Sequence, residues 1–85
     1  MPYITRERRA VFDEHLARIA ESLESGGEIN YCVYKLCLEF LKRKGMSYTT
    51  SMIPFSALGA AQQELYRRVI APYEDVKIAE NGDVE

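Results

Sequence analysis

The residues with the most chemical potential are concentrated at the C-terminal end of the chain. Arg67-Arg68-Val69-Ile70-Ala71-Pro72-Tyr73-Glu74-Asp75 runs on to Glu80-Asn81-Gly82-Asp83-Val84. With Tyr66 and Tyr73 beside Arg67 and Arg68, and with Arg8 and Arg9 near the other terminus, the chain holds guanidinium forks and aromatic faces. That combination suits a phosphate-bearing ligand, gripped by charge-assisted hydrogen bonds and stacking. The competing expectation is structural ion pairing, with Arg67 and Arg68 taken up by Glu64, Glu74 or Asp75. Two carboxylate pairs, Glu21 with Glu24 and Glu80 with Asp83, have the three-residue spacing that puts two acidic groups on one helical face. Hard oxygen ligands in that pattern suit Mg²⁺; the plainer role for Glu21 and Glu24 is to solvate a helix.

Other chemistry is excluded by what surrounds the candidates. His15 is the one histidine and belongs to no metal or nucleophile motif. Cys32 and Cys37 lie five apart on one expected helix, where they cannot easily bridge each other, and read as small apolar residues. Gly26-Gly27 lacks the Lys-Ser or Lys-Thr of a phosphate loop. No catalytic residue is assigned and no cofactor is expected.

The elements that position these residues are helical. Phe12, Leu16, Ile19, Ala20 and Leu23 form a one-sided stripe over about 5–23, with Thr5 as N-cap and Ser25-Gly26-Gly27 as the stop. Asp13 is an alternative cap for a shorter helix. A second helix is expected over about 28–44, apolar most of the way round, with Lys42-Arg43-Lys44 complementing its C-terminal dipole. A loop is expected over 46–51, then a third helix from Pro54 in its first turn. Phe55, Leu58, Gln62, Leu65 and Val69 keep heptad spacing there. Pro72 should break or kink it, leaving a short fourth helix over about 73–80.

Eighty-five residues make one domain, expected to be all-α, with three main helices plus a short C-terminal helix or tail. A composition 47% hydrophobic is high for so short a chain, so the bundle is expected to be completed in a homo-oligomer. A net charge of −2 gives no global basic field, and nucleic acid is not an expected partner. The N-terminus turns charged at Arg6 without an apolar leader core, and no apolar run spans a bilayer. A soluble, cytoplasmic protein with no membrane partner is expected.

Two resemblances bear on function. The paired carboxylates are similar to those of MazG-type nucleoside triphosphate pyrophosphohydrolases, all-α enzymes whose acidic groups hold Mg²⁺. That resemblance would make Glu21, Glu24, Glu80 and Asp83 metal ligands, although the doubled EExxE is absent and Asn81-Gly82 interrupts the second pair. The whole chain resembles a family of short bacterial and phage proteins of unknown function. The shared features are Met1-Pro2-Tyr3-Ile4, Gly27-Glu28-Ile29-Asn30-Tyr31, the segment from Glu64 to Asp75, and the Glu80–Val84 tail. This second resemblance implies a phage-linked context, in which small helical proteins act by binding a partner protein or sequestering a nucleotide-like molecule as oligomers.

Overall fold

The computed structural model describes residues 4–84, and these are helical wherever they are regular. Helix α1 spans Arg6–Ser22, α2 Gly26–Lys44 and α3 Tyr48–Leu65; a π turn, Tyr66–Ile70, leads directly into α4, Ala71–Asn81. The all-α fold with three main helices and a short C-terminal one is therefore present. Met1–Tyr3 of the N-terminal motif lie outside the described residues.

The chain divides into two compact units, Met1–Lys44 and Gly45–Glu85. In the first, α1 begins where Thr5 accepts a hydrogen bond from the Arg8 N–H at 3.3 Å. It ends at Leu23, an extended residue whose N–H donates to the Ala20 carbonyl. Gly26 and Gly27 do not cap it, contrary to expectation; they already belong to α2. The reason is Ser25, whose hydroxyl accepts from the Glu28 N–H at 3.2 Å, while the Glu28 carboxylate reaches back to the Glu24 N–H at 2.7 Å. This reciprocal arrangement starts α2 two residues early. Helix α2 stops at Gly45, whose φ of 89° lies in the left-handed region that glycine tolerates.

In the second unit, the expected loop over 46–51 is instead the start of α3. Ser47 is the N-cap: it accepts from the Thr50 N–H at 3.0 Å, and Thr50 Oγ1 accepts from the Ser47 N–H at 2.9 Å. Thr50 Oγ1 also donates to the Gly45 carbonyl at 2.7 Å. Pro54 consequently sits inside the helix rather than in its first turn. Pro72 does not end the helix either. The Ala71 N–H donates to the Tyr66 carbonyl, five residues back, and Pro72 stands near the start of α4. A proline lacks the N–H that an α-turn needs, and its ring crowds the carbonyl four residues earlier. Widening the turn relieves that conflict and lets the helix bend without breaking.

No described residue is buried in either unit. The α1 stripe remains in the open, with Phe12, Leu16 and Ile19 each more than two-fifths exposed, as do Tyr31, Tyr34 and Leu36 of α2. In the second unit Phe55 is 70% exposed and Tyr73 60%. No described helix is long and apolar enough to cross a membrane.

Candidate functional site

Four of the six candidate ligand-binding residues lie in the second unit, and three share the π turn: Tyr66, Arg67 and Arg68. Glu64, at the end of α3, organises them. Its Oε1 accepts from Arg67 Nη2 at 2.9 Å and its Oε2 from Arg68 Nε at 2.6 Å. Its side chain is only 20% exposed, while those of Arg67 and Arg68 are 65% and 58% exposed. Both arginines thus converge on one half-covered carboxylate. Of the three acidic partners expected for them, Glu64 receives both of these pairs.

Glu74 does something else. Its Oε1 accepts from the Tyr66 hydroxyl at 2.9 Å, a bond between residues eight apart that spans the π turn. The Glu74 carboxylate holds the Tyr66 proton, first through this hydrogen bond and then through its charge, so the phenol titrates above its ordinary range. Tyr73, the fourth candidate, carries Lys77 over its ring at 5.5 Å, and Lys77 also pairs with Glu80 at 3.2 Å. A shallow open groove runs along this segment, bounded by Gln62, Leu65, Tyr66, Arg67 and Ile70.

Arg8 and Arg9 are neighbours in the first turns of α1, in the other unit. Arg8 lies over the Phe12 ring at 5.2 Å, and Arg9 Nε donates to the Ile4 carbonyl at 3.0 Å. Each is engaged locally.

The carboxylate pairs depart from the geometry expected of them. Because α1 ends at Ser22, only Glu21 is helical; Glu24 lies in the connection, its N–H committed to Glu28. Glu80 is in α4, but Asp83 follows the Gly82 cap and accepts from the Val84 N–H at 2.6 Å. Neither pair presents two carboxylates from one helical face. Among the described residues no group of three or more histidine, cysteine or carboxylate side chains is placed to hold a metal ion. The residues do not match what Mg²⁺ demands, so no catalytic step is derived through it.

On α2, Glu39 accepts from both Lys35 and Lys42 at 3.3 Å, and these bonds hold its carboxyl below the usual range. Cys32 and Cys37, on the same helix, are free thiols. An open cleft near the α1–α2 connection is bounded by Arg18, Ile19, Leu23, Glu28 and Tyr31.

The π turn therefore offers two exposed guanidinium edges, a hydrogen-bonded phenol and flanking apolar side chains. The sequence points to Glu74 only as an arginine partner, because its bond to Tyr66 spans eight residues across the widened turn, a separation that ordinary helical spacing does not connect. No curated protein and no solved structure matches the chain. A protein-family model described as Domain of unknown function (DUF6899) matches residues 1–84. The chain belongs to that family of small proteins with unassigned function.

Proposed function

We propose that this is a non-catalytic binding protein that works as a homo-oligomer and engages a partner protein, in the phage-linked context that its family resemblance suggests. One observation carries the reading: every helix displays large apolar side chains and none is buried. Helical units of about forty residues cannot normally pay the entropy of folding without a core, a cross-link or an associating surface. Cys32 and Cys37 share one helix, so they offer no easy bridge within the unit. Association with another chain is a route to burying the stripes of α1 and α2. The free thiols fit a reducing compartment, which is the ground for placing the protein in the cytoplasm.

Sequestering a phosphorylated small molecule is less favoured, because Arg67 and Arg68 both already pair with the Glu64 carboxylate. Native mass measurement across a concentration series tests the proposal. The expected result is a discrete multiple of the 9.8 kDa chain; a stably folded 9.8 kDa species at high concentration would overturn it. Incubating a nucleoside triphosphate panel with Mg²⁺ tests the hydrolase alternative, with no turnover expected.

A further inference from the structure

We infer that the basic end of the α1–α2 unit is the docking site for a helix of a partner protein, one that carries carboxylates beside large apolar side chains. The inference rests on the partner-binding reading above and deepens it, assigning the surface and the chemistry of the partner. Charge in this unit is segregated by end. Residues 4–13 and 35–44 hold seven arginines and lysines against three carboxylates, whereas residues 14–34 hold one against four. Phe12 of α1 bounds the same open hollow as Leu36, Glu39, Phe40, Lys42 and Arg43 of α2. The chain therefore turns back over residues 23–25, and the start of α1 and the end of α2 share one end of the unit.

Helical register puts apolar and basic side chains on the same faces. Arg8 precedes Phe12 by one turn, and its guanidinium lies over that ring at 5.2 Å. On α2, Leu36, Phe40 and Arg43 follow one another at steps of four and three, which keeps them on one face. Phe12 and Leu36 are 41% and 58% exposed, and Phe40 is half-buried. No Cα of α1 comes within 8 Å of one in α2, so the helices flank the hollow without closing it. An apolar strip results, with Arg8 on the α1 side and Arg43 on the α2 side.

Charge then selects the partner. Glu39, the carboxylate at the hollow, is committed to Lys35 and Lys42 at 3.3 Å. Arg8, Arg43 and Lys44 take part in no ion pair among the described residues. A partner carboxylate meets cations there that have none, and the guanidinium fork suits it. A nucleic-acid backbone is a poorer match. It would bring phosphates to Glu39, which Lys35 and Lys42 keep ionised, and nothing to cover Phe12 and Leu36. An amphipathic helix covers both with its apolar face and supplies carboxylates along its edges.

The test titrates the full-length protein into a fluorescent peptide of about 20 residues, roughly 30 Å as a helix, with a leucine face edged by glutamates. The peptide should bind, and binding should weaken as salt is raised. Arg8→Gln combined with Arg43→Gln should weaken it about tenfold or more, whereas Arg18→Gln, near the α1–α2 connection, should change it less than about twofold. Polyglutamate of equal length and charge should bind at least about tenfold more weakly, because it cannot cover the apolar strip. If the double variant loses helicity by circular dichroism, the comparison of the two peptides on wild-type protein decides alone. Polyglutamate binding as well as the amphipathic peptide, a DNA duplex binding more tightly than it, or an equal loss in Arg18→Gln overturns the docking site. So does failure of the peptide to bind, whether a second copy or this chain's own C-terminal segment fills the hollow. Native mass separates the two readings. A 9.8 kDa monomer that binds the peptide keeps the site and overturns the oligomer; an oligomer that does not bind it does the reverse.

Discussion

At the scale of single residues, the strongest polar feature is a carboxylate with two arginines on it. Glu64 is more covered than either partner, so its charge is less screened than that of an ordinary surface pair. Glu64→Gln keeps the shape and removes the charge. It should cost about 0.5–1 kcal/mol, seen as a fall of a few degrees in the melting temperature that shrinks at high salt. Glu39 and Tyr66 give opposite pH signatures. The Glu39 carboxyl is held low by Lys35 and Lys42, so its contribution is present at neutral pH and is lost as pH falls through its folded-state value. Acid titration of α2 helicity by circular dichroism should show a step that Glu39→Gln removes. The Tyr66 phenol is held high by Glu74, so its contribution is fully present below the ordinary tyrosine range and is lost as pH rises from that range through the raised folded-state value. Ultraviolet titration of tyrosinate should show a late-ionising component from Tyr66, and Glu74→Gln should remove it.

At the scale of elements, the sequence was legible where local chemistry acts alone. Thr5 caps α1, Lys44-Gly45 ends α2, and Asn81-Gly82 ends α4, all by short-range rules visible in one dimension. It misled where two rules compete. Ser25-Gly26-Gly27 reads as a stop, but Ser25 with Glu28 makes a better start, and the start prevailed. The Ser47–Thr50 box was hidden because threonine replaces the usual glutamate at the third helical position. Pro72 reads as a break because proline removes an α-turn donor and crowds the preceding turn, whereas the π turn before it accommodates the ring. The candidate site follows the same division. Arg67 and Arg68 lie three and four residues after Glu64, which is ordinary helical pairing. Tyr66 and Glu74 meet only if the turn is widened, so their bond could not be read from spacing. That dependence makes Tyr66 a reporter of the turn. Pro72→Ala restores the missing donor and should let an ordinary α-turn re-form. The Tyr66–Glu74 bond would then separate, and the phenol should titrate in its normal range. A Tyr66 that still ionises late in Pro72→Ala would show that proline does not maintain the π turn. Loss of the Ser47 cap is a simpler test: Ser47→Ala should cost about 1 kcal/mol through fraying of the first turn of α3, seen as faster amide exchange there.

At the scale of the whole molecule, the proposed oligomer would make stability and association one quantity. A chain whose described residues include no buried side chain has little to oppose the conformational entropy lost on folding. Interactions within its helices, a few tenths of a kcal/mol per ion pair and about 1 per cap, are too small to supply the difference. The apolar stripes can supply it, because burying each large side chain is worth about 1.5–3 kcal/mol, but only where a second surface covers them. If folding and association are coupled, the melting temperature must depend on concentration. Each tenfold dilution lowers the free energy of forming a dimer by about 1.4 kcal/mol. For two 85-residue chains melting together, that is a fall of about 3–6 °C per tenfold dilution. Calorimetry or circular dichroism over a hundredfold range of concentration should therefore show a steady decline. A melting temperature independent of concentration, with a single sharp transition, would mean that each chain finds its core alone, and the exposed stripes would then need a different account.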